Sequence, residues 1–174
     1  ARLALQEQGQ VAQAILSFRA AIRILPEFAD AHWNLALALL LTGELEEGLV
    51  EHEWRLKAAQ HPHSRVRRRQ FPQWNGEPLQ GKRLLILSEQ GMGDMIQFAR
   101  YAEALAARGA TVLVEAPSDL TDLLRGAPGV AAVIPRGGPY PPCDYQTPVM
   151  SLPLRCGTRL GTIPARAHYL VADP

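Results

Sequence analysis

The sequence predicts an α + α/β chain, with helical hairpins first and a mostly parallel sheet after them. Three observations predict it. Up to residue 60 the apolar residues recur at helical spacing: Leu35, Leu39 and Thr42 share one face, and Leu45, Leu49 and His52 share another. After Gly81, short apolar runs alternate with amphipathic segments. Strands that alternate with helices imply parallel pairing through right-handed crossovers. Between the two parts lies a stretch with prolines and a run of arginines, where neither period survives.

The helical part carries an internal repeat. Gly9 recurs as Gly43, 34 residues later; at the same offset Leu5 matches Leu39, Ala14 matches Gly48 and Ile15 matches Leu49. Gly9, Ala14, Phe18, Ala21 and Pro26 stand at the spacings of a tetratricopeptide (TPR) second helix, and "ADAHWNLALALLLTGELEEGL" supplies a first helix, a turn and a second helix. The segment resembles TPR repeats, one partial and one complete, over residues 1–60. Small residues at Ala14 and Ala21 let helices approach, and Phe18 fills the groove between them. The second copy departs from the pattern: His52 stands where an aromatic is expected and Arg55 where an alanine is, as suits a terminal, capping repeat. Asp30 is the expected N-cap of the first helix, and Pro26 closes the helix before it. Trp33 and Trp54 are expected between helices. A TPR groove implies a peptide or protein partner, held around Asn34 and Leu37.

Residues 61–81 read as a linker. Arg65, Arg67, Arg68 and Arg69 form a solvated connector or a phosphate contact, with the connector favoured. Phe71 and Trp74 are expected to fasten the linker to a domain through their large apolar area. His61 and His63 have no neighbouring thiol or carboxylate, so no metal site is expected.

Residues 82–174 read as a Rossmann-like parallel-sheet domain. "RLLILS" is a buried strand, and "DMIQFARYAEALAARG" an amphipathic helix with Ile96, Phe98, Ala99, Ala102, Leu105 and Ala106 inward and Gly109 at its end. "TVLVEA" is a second strand, and "SDLTDLLRGAPG" a short helix capped by Ser118. "VAAVIP" and "CDYQTPVM" are further strands, and "SLPLRCG" a turn or short helix. Tyr140, among three prolines, reads as a surface turn or as a stiff loop edging an acceptor site, with the turn favoured.

Composition limits the functional classes. With 47% apolar residues a core is available, and a net charge of +1 offers no general attraction for nucleic acid. Cys143 and Cys156, separated by 12 residues with no second pair, form neither a disulfide framework nor a zinc pattern; they suit a reducing, cytoplasmic setting. No signal peptide is visible, and the longest apolar stretch, Leu35–Leu41, is too short to span a bilayer. The chain opens at Ala1, without methionine, inside a helical pattern, as a piece of a longer protein does.

The chemistry-bearing stretch is "EQGMGDMIQ", Glu89 to Gln97. Gly91 and Gly93 follow a strand and open a helix, the context of a dinucleotide fingerprint, and Glu115 closes the next strand 22 residues after Gly93, where a ribose-binding acid stands. Two features oppose a pyrophosphate there. Ile96 fills the third glycine position. Asp94 adds a negative charge at the helix start, where two negative charges repel. Asp94 alone is a favourable helix-start residue, worth roughly 0.3–1 kcal/mol. It also suits a general base at the mouth of the sheet, with flanking glycines that let a bulky substrate approach the backbone.

"FPQWNGEPLQGKRLLILSEQGMGDMIQFARYAEALAARGATVLVEAPSDLTDLL" resembles the start of the catalytic region of bacterial TPR-linked glycosyltransferases. These are similar to the heptosyltransferase family (glycosyltransferase family nine) and, more distantly, to O-linked N-acetylglucosamine transferases. Glu89 to Tyr101 carries most of the match, and Cys143 to Thr158 continues it. The resemblance implies the first domain of a GT-B fold, the side that holds the acceptor. It implies Asp94 as catalytic base and Glu89, Gln90, Gly91, Met92, Gly93 and Gln97 as substrate-binding residues. It implies a nucleotide-sugar as donor substrate, a sugar or protein hydroxyl as acceptor, and no metal or other cofactor. The donor domain lies outside the matched region, so this piece alone is expected to be inactive. Two other functions fit the same residues: a TPR interaction scaffold without catalysis, and a dinucleotide-binding domain.

Overall fold

The computed structural model describes residues 10–58 and 70–171. The chain divides into two compact units: residues 1–65 with 157–162, and residues 66–156 with 163–174. Leu5 and Gly9 of the repeat, His61 and His63, and the arginine run Arg65–Arg69 lie outside the described residues.

In the helical unit, α1 (Val11–Ile24), α2 (Ala29–Thr42) and α3 (Leu45–His52) pack in sequence, and a 3-10 turn (Glu53–Leu56) follows. Ala14, Ile15 and Phe18 of α1 meet Leu35, Ala38 and Leu39 of α2 in one core, the small residues setting the close approach. Gly43 has φ 84°; its N–H reaches the Leu40 carbonyl at 3.2 Å and the Glu44 N–H reaches Leu39 at 2.9 Å, a Schellman closure that only a left-handed residue permits. Gly48 is required for packing: a Cβ there meets the Leu40 side chain at 3.0 Å. It holds the repeat position of Ala14, so the small-residue rule is the same in both copies.

The N-cap expected at Asp30 is displaced. The α2 N-cap is Phe28, which makes no side-chain cap; Asp30 lies inside the first turn, where its carbonyl accepts from Asn34 Nδ2 at 2.6 Å. The cap follows the residue at which the backbone leaves helical φ/ψ, two positions earlier than composition suggested. The departures at His52 and Arg55 prove to be interior. His52 is 5% and Arg55 0% exposed. The Arg55 guanidinium donates to Glu53 Oε1 at 2.7 Å and to the His52 carbonyl at 3.2 Å. Trp33 tilts against His52 at 4.8 Å, while His32 stacks on Trp54 at 3.9 Å and bonds to Glu51 and, at 2.7 Å, to the Pro26 carbonyl. Burial, and then the adjacent Arg55 charge, push the His52 pKa down to about 3.

The second unit is α/β. Strands β1 (Arg83–Leu87), β2 (Thr111–Ala116), β3 (Val130–Pro135) and β4 (Tyr145–Pro148) form one parallel sheet in the order β3-β2-β1-β4. Leu84 pairs with Val112 and with Tyr145. Period-two alternation divides the strands. Leu84, Ile86, Val112 and Val114 face a core shared with Met95, Leu105 and Leu124; Leu85, Leu87, Leu113 and Ile134 face Phe71, Tyr140 and Cys143. Helices thus supply the first face. On the second, Tyr140 and Cys143 come from the β3–β4 connection, so Tyr140 is more than a surface turn.

The helix after β1 begins at Met92, two residues before the expected start, and runs as α4 (Met92–Ala99) and α5 (Tyr101–Ala107), with Arg100 between them still in helical φ/ψ. Gly109, φ 85°, ends it. Ser118 is not a cap. It opens a 3-10 turn (Ser118–Leu120) ahead of α6 (Thr121–Arg125), and its hydroxyl donates to Asp119 Oδ1. A second 3-10 turn (Val149–Ser151) leads into α7 (Leu152–Arg155).

The residues before β1 belong to this sheet. The Trp74 N–H donates to Gln146 at 2.8 Å and the Gln146 N–H to Pro72 at 2.9 Å, so Gln73 bridges β4 in parallel. Trp74 is fully buried and its indole N–H donates to the Glu77 carbonyl at 2.9 Å.

Candidate functional site

In an open parallel sheet, ligands gather outside the carboxyl ends of the strands, where the strand order reverses. Here the chain runs outward from β1 to β2 to β3 and then returns to β4 on the other side of β1. The reversal lies between β1 and β4, and the glycine loop leaves β1 there.

Each residue of the loop has a distinct environment. Glu89 is 3% exposed, and its Oε2 accepts the Met150 N–H at 3.2 Å, joining the loop after β1 to the turn after β4. That places Glu89 under the crevice. Gln90 takes φ 43°, a left-handed conformation that costs a non-glycine residue about 1–2 kcal/mol. Its Nε2 is buried with no partner among the described residues. Gly91 is the helix N-cap, and Asp94, at the third helical position, accepts the Gly91 N–H through Oδ2 at 3.0 Å. This is half of a capping box, because glycine has no side chain to complete it. Asp94 is half-buried, and among the described residues its other oxygen accepts no hydrogen bond.

Gly91, Met92, Gly93 and Gln97 are exposed. A Cβ on Gly93 meets nothing within 4 Å, and one on Gly91 meets only Asp94 Oδ2, at 3.6 Å. Unlike Gly48, these glycines satisfy no internal packing need. Inside the helix, at Gly93, glycine costs up to about 1 kcal/mol relative to alanine, whereas at the N-cap, Gly91, it is the better residue. Their bare backbone is exposed at the carboxyl edge of the sheet.

Ser88 and Arg136, which spacing did not single out, complete this edge together with Tyr140. They surround Glu115, which is 2% exposed. The Ser88 and Tyr140 hydroxyls donate to its two carboxylate oxygens, and Arg136 Nε stands 3.9 Å away. The ribose-binding position of a dinucleotide fold is therefore taken by internal hydrogen bonds. The signal for this network was the Glu115 carboxylate ending an apolar strand, which demands partners when buried.

Burial raises both thiols, Cys143 modestly and Cys156 to about 11, so neither serves as a thiolate near neutral pH. Among the described residues no group of three His, Cys, Asp or Glu residues is placed to hold a metal, and no helix is long and apolar enough to cross a membrane. A recess of about 260 Å³ beside Ala99, Ala104 and Pro164 has its cations engaged: Arg100 donates to the Pro164 carbonyl at 3.0 Å, and Arg166 pairs with Glu103.

Residues 3–43 match the TPR repeat family. The chain is similar to Protein FlbA of Caulobacter vibrioides, at 29% identity over 127 residues, covering 52% of this chain and 21% of FlbA. It thus spans about a fifth of the length of that relative. No solved structure matches. The N-terminal hairpins therefore contain a TPR repeat, followed by a parallel four-stranded α/β sheet.

Proposed function

We propose that this chain joins a protein-binding TPR surface to the acceptor-side unit of a glycosyltransferase, in a reducing, cytoplasmic setting. The observation that carries the first half is the TPR repeat itself, together with the outward face of α2. Leu37 is 38% and Leu41 68% exposed, four residues apart on one helical face with Asn34 half-buried beside them. A row of one amide and two leucines suits a peptide that brings apolar side chains and a polar backbone. Leu37→Glu with Leu41→Glu abolishes capture of such a partner while leaving the circular dichroism of the helices unchanged. Retained capture removes this surface from consideration.

The specific observation favouring transfer is the outward backbone of Gly91 and Gly93 at the strand-order reversal, with Asp94 fixed beside it. Inverting transfer needs an acceptor hydroxyl deprotonated in line with the anomeric carbon. The free oxygen of Asp94 is the base in this reading. Gln90, Gly91, Met92, Gly93 and Gln97 line the acceptor, and Glu89 holds the loop in place from beneath. Asp94→Asn, made in the longer protein, abolishes transfer from a nucleotide-sugar and leaves the thermal midpoint nearly unchanged. Undiminished transfer sinks the assignment and leaves a protein-binding scaffold.

A further inference from the structure

Of the side chains gathered around buried Glu115, Arg136 is the most exposed. Arg136 follows β3, and its backbone N–H is fixed on the Ala116 carbonyl of β2 at 2.8 Å. Its Nε donates to Ser88 Oγ, at the end of β1, at 2.9 Å. Adjacent strands lie about 4.8 Å apart, so a side chain from β3 that touches β1 spans roughly 10 Å of sheet edge. The guanidinium therefore ends beside the root of the glycine loop, two residues before Gln90.

The guanidinium is planar, with donors arranged as a fork. Nε is held on Ser88, and among the described residues the two terminal nitrogens make no hydrogen bond. The side chain is 35% exposed, and the residues that follow, Gly137 and Gly138, bring no side chains to crowd it. The Glu115 carboxylate is already occupied by the Ser88 and Tyr140 hydroxyls and lies 3.9 Å from Nε, close enough to orient the arginine without capping its fork. A fixed fork of this kind matches two oxygens of a carboxylate or phosphate. At the neighbouring loop, Gln90 Nε2 is a second donor, buried and without a partner among the described residues.

We propose that Arg136, held by Ser88 and Glu115, is an oxyanion-binding subsite beside the glycine loop. It takes the carboxylate or phosphate group of whatever ligand occupies the carboxyl edge. It stands independently of the transferase reading; where that reading holds, the acceptor carries an anionic group.

The test is a titration of the ¹⁵N-labelled chain with sodium phosphate, and separately with sodium acetate, at ionic strength held constant with sodium chloride. The Arg136 Nε–H signal and the amides of Ser88 and Gln90 shift saturably. Arg136→Gln weakens binding about tenfold or more, the loss of one charge-assisted pair. Arg136→Lys keeps a counter-charge for Glu115, folds as the parent does, and still binds more weakly because it lacks the fork. Stronger binding of phosphate identifies a phosphate ester as the natural group; equal or stronger binding of acetate identifies a carboxylate. The proposal is overturned if neither anion gives a saturable shift, or if Arg136→Lys binds as tightly as the parent. In the first case Arg136 is only the counter-ion of Glu115; in the second any cation suffices there and the guanidinium fork recognises nothing. No sugar donor is needed, so a failed transfer assay leaves this titration intact.

Discussion

The two units bury polar groups in opposite ways. In the helical unit His52 and Arg55 sit at the end of the repeat, fully inside, where they meet Trp33 and Glu53. In the α/β unit the two buried carboxylates, Glu89 and Glu115, stand at the carboxyl ends of β1 and β2, Glu89 in the loop that leads to exposed Gly91 and Gly93. The helical unit uses polar side chains to fill the space around its last described turn. The α/β unit uses them to tie the end of β1 to β2 and to the turn after β4.

The strongest way to test that division is to remove an anchor from one unit alone. Trp74→Ala empties a fully buried site in the α/β unit and costs it about 3–5 kcal/mol in denaturant unfolding. The helical transition is expected to stay in place, and a concerted collapse of both would break the comparison. Acid is the corresponding probe of the helical unit. His52 is held neutral, its pKa pushed to about 3 by burial and then by Arg55. The unfolded chain binds a proton below about 6.5 that the folded unit refuses. The contribution of His52 is thus fully present above pH 6.5 and is lost as pH falls towards 3, on the order of 2–3 kcal/mol by pH 4. His52→Phe flattens that part of the pH–stability curve; an unchanged slope assigns the acid sensitivity elsewhere.

The glycines sharpen the contrast at smaller cost. Gly48→Val drives a side chain into Leu40 and destabilises the helical unit by about 1–3 kcal/mol, read from the thermal midpoint. Gly93→Ala meets nothing and stabilises the α/β unit by about 0.5–1 kcal/mol through helix propensity. If the loop serves a ligand, that same substitution lowers ligand affinity. Stability and binding moving in opposite directions is the signature of a functional glycine.

The parts legible from sequence were those fixed by backbone conformation or by volume. Gly43 and Gly109 end helices because they adopt positive φ, and Ala14 and Gly48 recur because two helices must approach. Trp74 could be expected to dock because its area is costly to leave in water. The caps were less legible: Asp30 and Ser118 have the right chemistry, yet Phe28 and Pro117 stand where the backbone turns.

The sequence by itself determined the order of parts: a repeat of helical hairpins, then alternating strands and helices, with a glycine loop after the first strand. Periodicity and spacing are local properties and survive without coordinates. Only the tertiary structure decided which polar residues share an edge. Ser88, Glu115, Arg136 and Tyr140 are far apart along the chain and meet because β1, β2 and β3 end side by side and the β3–β4 connection returns past them. Strand order sets that meeting, and strand order is a choice among long-range pairings that no short stretch encodes.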